Sequence, residues 1–188
     1  IFLSDLINST DQKVRTKKIE KLIKYEKIAD LMEIEITEYI SKLTNRKLTQ
    51  RTSTRLRSYM NIANDLERIG DIYYQMSKTI ERKDENKIYF LPEQRDNLNK
   101  MLDVLEKAFA EMNTNLSSEY GHISIENAKK YEREINQIRN DLRKSYLEQA
   151  EKGEYKFQPG IMYNNLFSSC EKVGDHIINV SEAVAGEI

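Results

Sequence analysis

Four pairs of oxygen-bearing side chains stand one helical turn apart: Glu26 with Asp30, Glu67 with Asp71, Glu132 with Asn136, and Glu171 with Asp175. On an α-helix, positions i and i+4 share a face about 5–6 Å apart. Two such pairs on neighbouring helices would put four oxygen ligands together. Like charges at that spacing oppose the helix unless something neutralises them. A bound hard or borderline cation does so.

A chain that is 32% charged makes such pairs by chance, and most blocks of charge face water. Three features set these pairs apart. They recur at matching places in two halves of the chain. Glu26 and Glu33 fall on an apolar seam with Leu22, Ala29 and Ile36, where carboxylates are costly unless paired or metal-bound. Gly70 and Gly174 sit inside helical patterns, where each costs ~1 kcal/mol against Ala, so a neighbouring helix or ligand is expected to approach there. One feature opposes them. On a helical wheel Glu67 and Asp71 lie roughly 120–160° from the centre of their own apolar stripe. That places their site near the bundle surface, away from the seam carrying Glu26 and Glu33.

The elements that must position these residues are helices. With 188 residues, 2 Pro and 6 Gly, the chain has too few turn formers for an all-β fold. Helices are expected over about 10–46, capped by Thr10 or Asp11; about 49–83; from Pro92, favoured in a first turn, to about 118, with Gly121 breaking it; from a Ser124 cap to about 152; and from Ile161 to about 185. The segment 154–160, holding Pro159, is expected to be a loop. A net charge of −1 argues against a nucleic-acid partner. No apolar run approaches the ~20 residues of a membrane helix, so a water-soluble segment is expected.

The chain repeats itself. NDLERIGDIYYQMS at 64–77 is echoed by SSCEKVGDHIINVS at 168–181, an offset of 104, and Asn61 recurs as Asn165. The preceding helices match at an offset of 106, pairing Tyr25-Glu26 with Tyr131-Glu132, Asp30 with Asn136 and Ile36 with Leu142. The repeats read as 1–84 and 93–188 with a linker at 85–92. Only Ile1–Ser9 stands where the second repeat has a whole opening helix, so the first unit is expected to lack most of that helix, with about 18 further helical residues upstream.

NDLERIGD with its echo SSCEKVGD closely resembles the signature helix of the PhoU family, and Glu26-x-x-x-Asp30 resembles its companion acidic motif. The run DIYYQMSKTIERK and the ending GDHIINVSEAVAGEI resemble the C-terminal domain of bacterial Na/Pi-family, sodium-dependent phosphate cotransporters. The resemblance implies an all-α fold of tandem three-helix bundles of long antiparallel helices. It implies a non-catalytic, metal-binding regulatory or accessory role in phosphate uptake, with Glu26, Asp30, Glu33, Glu67, Asp71, Glu132, Asn136, Glu171 and Asp175 as metal residues. Iron, zinc, manganese and magnesium all suit such a site. The implied partners are a membrane transporter domain of the same chain, which would hold the domain at the cytoplasmic face of the inner membrane, and a second copy in a homodimer; no small organic substrate is implied. The alternative is a metal-free helical interaction module, a stand-alone phosphate-signalling adaptor.

The second copy departs from the pattern at Asn136 and at Arg139, which stands where the first has Glu33. Affinity for hard cations follows the count of charged ligands, so the first copy is expected to bind more tightly and the second weakly or not at all, with Arg139 repelling a cation or pairing with Glu132. Other candidates are plainer. His176 is expected to be a satisfied polar contact, and Cys170 a small buried hydrophobe. Glu119-x-x-His122 has di-iron spacing but lies in an expected loop without a second copy. The basic cluster Arg46, Lys47, Arg51, Arg55 and Arg57 is expected to solvate a helix end or face anionic lipid.

Overall fold

The computed structural model describes residues 2–9, 11–44, 47–153 and 157–187. Among them it is all-α: α1 (Phe2–Asn8), α2 (Gln12–Thr44), α3 (Gln50–Glu85), α4 (Pro92–Leu116), α5 (Glu126–Glu151) and α6 (Phe157–Ala185). No described helix is long and apolar enough to cross a membrane.

Local chemistry sets the boundaries. The Asp11 carboxylate accepts from the amides of Lys13 (2.8 Å) and Val14 (3.4 Å), as a helix N-cap does; Thr10 lies outside the described residues. The Thr49 hydroxyl caps α3 by accepting from Thr52 N–H at 3.2 Å. Pro92 opens α4, and the Gln94 side chain reaches back to the Leu91 amide at 3.0 Å.

Three expected boundaries move. The cap of α5 is Ile125, not Ser124, whose Oγ reaches only the Glu126 amide, at 3.5 Å. Helix α4 has ended before Gly121, which at φ +79° sits in the following turn and donates its N–H to the Val184 carbonyl. Helix α6 begins at Phe157, so Pro159 is in its first turn instead of a loop, where its missing N–H leaves no gap.

Helices α3 and α6 pack together at the centre, and one core runs through both units. In the second unit α4, α5 and α6 all pack on one another. In the first, α2 rests on α3 and, at one end, on the seven-residue α1. The burial follows: α2 has three buried residues in 33, while α6 has thirteen in 29.

Candidate metal centre

The two faces of α3 bring the first acidic site together. Its apolar stripe, including Ile69, Met76 and Ile80, is buried in the common core. Its other face, with Glu67, Gly70 and Asp71, meets α2. A Cβ added to Gly70 would stand 3.5 Å from the Ala29 Cβ and 3.8 Å from the Glu26 Cα. The position of Glu67 and Asp71 off their own stripe and the position of Glu26 on the seam of α2 are thus one arrangement: the seam of α2 lies on the off-stripe face of α3.

Around this contact Glu26, Asp30 and Asp71 each offer a carboxylate oxygen within 4.8 Å of the others, all half-buried. Glu67 lies beside them and shares a hydrogen bond with Asp71. Burial, then the charges of Asp30 and Asp71, pushes the Glu26 carboxyl up; burial and Asp71 do the same to Glu67. Asp30 Oδ1 is buried without a hydrogen-bond partner among the described residues. An orphaned buried oxygen facing three more carboxylates suits a cation as its missing partner. Glu33 is not among the three converging residues; its Oε1 accepts from the Thr37 hydroxyl at 2.9 Å.

The second unit assembles its residues differently. Glu132, Glu171 and Asp175 gather close enough that burial and the other two carboxylates raise Asp175. Arg139 Nη2 donates to Glu171 Oε1 at 2.6 Å, with both side chains mostly buried. The expected pairing of Arg139 with Glu132 is thereby corrected: Glu132 Oε1 instead accepts from Asn136 Nδ2 at 2.5 Å. Here the neighbour of the repeated glycine is Ile135, whose methyls would lie 3.1–3.2 Å from a Cβ on Gly174.

The remaining candidates take structural places. His176 Nδ1 lies 2.7 Å from Asp65 Oδ1, which also accepts from Asn179 Nδ2 at 3.2 Å, tying α3 to α6. Asp65 is 7% exposed and the sequence reading passed over it. Its signal was a carboxylate on the stripe Ile62, Asp65, Ile69. Cys170 is fully buried, and burial pushes its thiol up to about 12. Glu119 and His122 are exposed turn residues. Arg55 donates to the Tyr59 hydroxyl at 2.6 Å and lies over the Tyr120 ring. Lys47, Arg51 and Arg57 are exposed, and Arg46 lies outside the described residues.

Residues 2–80 match the family model of the PhoU domain. The chain is 28% identical over 130 residues to the phosphate-specific transport system accessory protein PhoU homolog 1 of Thermotoga maritima, which covers 66% of this chain and 53% of that protein. It thus spans about half the length of the curated relative it matches. The fold is also that of PhoU from Pseudomonas aeruginosa, solved by crystallography, with a TM-score of 0.68 at 17% identity over 97% of this chain and 85% of the other.

Proposed function

We propose that this chain is a non-catalytic regulatory or accessory domain of PhoU type that binds a divalent or trivalent metal ion in its first unit and serves a sodium-dependent phosphate transporter. The observation that carries the metal reading is the convergence of Glu26, Asp30 and Asp71 with Glu67 beside them, where the mostly exposed Arg68 reaches only the Glu67 carboxylate, at 3.7 Å. When bound, a cation would supply the positive charge this cluster lacks. Glu26 and Asp30 would hold it from α2, and Glu67 and Asp71 from α3, so binding would clamp α2 to the central helix.

The phosphate reading is supported by the name of the Thermotoga relative and by the PhoU match over the first unit. The transporter context, with its membrane domain upstream and its placement at the cytoplasmic face, rests on the resemblance of 71–83 and 174–188 to cotransporter tails. A second reading is a metal-free adaptor. The second unit favours it, because there Arg139 and Glu171 hold the same kind of helix pair without an ion.

Elemental analysis of the purified, extensively dialysed chain separates the two. Stoichiometric iron, zinc, manganese or magnesium supports the first reading. A metal-free chain that still restores regulated phosphate uptake to cells lacking it supports the second.

A further inference from the structure

The chain carries a charge asymmetry that the acidic sites do not use. From Tyr39 to Asn64 there are six Lys and Arg residues and no Asp or Glu, which leaves 24 basic against 31 acidic residues, a net charge of −7, on the rest. This stretch is the end of α2, the turn after it and the first turns of α3. It overhangs the core. The last buried residue of α2 is Ile40 and the first of α3 is Ser58; between them no described residue is buried, and only Leu43, Leu48 and Leu56 are half-buried.

Lys47, Arg51, Arg55 and Arg57 stand exposed on this overhang, and no described carboxylate forms an ion pair with any of them. Lys42 differs, lying 3.7 Å from Glu38. The overhang is held in place. Arg55 donates to the Tyr59 hydroxyl and lies over the Tyr120 ring at 5.1 Å, and Ser58 and Tyr120 share a hydrogen bond of 2.9 Å between their hydroxyls. These contacts seat the start of α3 on the turn between α4 and α5. Glu119, Glu126 and Glu187 lie on that side of the end. None of them pairs with the four cations, and Glu119 and Glu187 face His122 (3.9 Å) and Lys129 (3.5 Å) instead.

Four cations without carboxylate partners on a projecting end suit an anionic surface, and clusters of this size attract anionic lipid headgroups. The shape of the end favours a plane. Along α3 the nearest acidic residue is Asp65, eight residues or about 12 Å from Arg57, past a Debye length of about 8 Å. A flat bilayer touching the end alone meets the cations and leaves the acidic flanks screened. A protein that binds duplex nucleic acid tightly neutralises about 6–10 phosphates, more than this end supplies, and the strand would run on over carboxylates.

We propose that the α2–α3 end docks on anionic phospholipid at a membrane surface, with headgroup phosphates accepting from Lys47, Arg51, Arg55 and Arg57 and from the hydroxyls of Ser53 and Thr54. Helices α2 and α3 then stand off the membrane, and the first acidic site is held in solution beyond the headgroups. The contact is made by the domain's own residues and needs neither a bound metal nor a membrane domain in the same chain, so it goes beyond the transporter context proposed above.

Co-sedimentation of the 188-residue chain with vesicles is the test. The chain should pellet with vesicles of mixed phosphatidylcholine and phosphatidylglycerol and not with phosphatidylcholine alone, and raised salt should release it. Arg51→Glu with Arg57→Glu, both exposed, should lower partitioning by about 25-fold or more, about fivefold for each cation lost, with unchanged helical circular dichroism. Lys13→Glu with Lys17→Glu changes the net charge equally at the opposite end of α2 and should leave partitioning unchanged. Equal loss from the two pairs would overturn the proposal by assigning binding to net charge, as would equal pelleting with both vesicle types or with neither. Release by inorganic phosphate at an ionic strength where chloride retains binding would overturn it in favour of a free-phosphate site. Release by duplex RNA at that ionic strength would overturn it in favour of a nucleic acid.

Discussion

The two units place related helices around related acidic groups, and the second brings a mostly buried guanidinium in among them. In the first, Glu26, Asp30, Glu67 and Asp71 are four carboxylates; Asp30 Oδ1 is buried without a hydrogen-bond partner among the described residues, as Asn136 Oδ1 is at the equivalent place in the second, so the units differ in charge and not in that orphan. In the second, Glu132, Glu171 and Asp175 are met by the guanidinium of Arg139, and the side chain at the Asp30 position is the amide of Asn136. A covalently attached cation needs no supply and cannot leave. On the reading proposed above, a carboxylate cluster without one would take its counter-charge from ions in solution, and its helix pair would respond to them. The comparison teaches that a duplicated acidic motif can acquire its own guanidinium in one copy and remain a cluster of carboxylates in the other.

Removing the built-in cation should have the largest effect. Arg139→Ala leaves Glu171 partly buried beside two other carboxylates, and breaking such a pair costs about 3 kcal/mol. Chemical denaturation should show that loss with or without added metal. If added metal restored the variant, the second site would share the character of the first.

Next is the loss of metal binding from the first site. Glu67→Ala with Asp71→Ala should abolish metal at that site and keep the helical content. The parent chain should gain about 2.7 kcal/mol when free metal is about 100 times its dissociation constant, and the double variant nothing. Its metal-free form should melt above the metal-free parent, because like-charge repulsion is relieved. Metal-dependent melting that survives the double substitution would put the metal at other residues, and a parent chain whose melting ignores added metal would favour the adaptor reading.

The pH response follows in size. Glu26 and Glu67 are raised from their ordinary value by burial and by neighbouring carboxylates, so the folded chain holds protons more firmly there than the unfolded chain. Their contribution is fully present below the unfolded value and is lost as pH rises through the folded value. The metal-free melting temperature should therefore climb as pH falls from 7 toward that value. Saturating metal should flatten the climb, because metal and protons compete for the same oxygens.

The smallest effects separate the two glycines. Gly70→Ala meets only ordinary contacts and should stabilise by up to about 1 kcal/mol through helix propensity. Gly174→Ala pushes on Ile135, which is 1% exposed and cannot easily move, so overpacking should outweigh propensity by about 1 kcal/mol. Thermal melts of both variants check the opposite signs.

Much of this was legible in the sequence because helical spacing reports directly on faces. The long helices and the exclusion of Glu67 and Asp71 from the core stripe follow from periodicity. What periodicity cannot report is which neighbour each face meets. The seam of α2 and the off-stripe face of α3 looked like separate places until the Gly70–Ala29 contact joined them. Arg139 was correctly singled out, but its partner depended on the α5–α6 crossing, which puts Glu171 and not Glu132 within reach. Asp65 escaped notice because its partners, His176 and Asn179, lie more than 100 residues away. Ser124 failed as a cap because the turn after Gly121 delivers the chain to the helix one residue later.

The most direct test is site-resolved metal occupancy, by anomalous scattering from crystals of the chain and of Arg139→Glu grown with the same metal. The account predicts metal at Glu26, Asp30, Glu67 and Asp71 in both, and at Glu132, Glu171 and Asp175 only in Arg139→Glu. Equal occupancy of both sites in the parent chain, with no gain from Arg139→Glu, would contradict it.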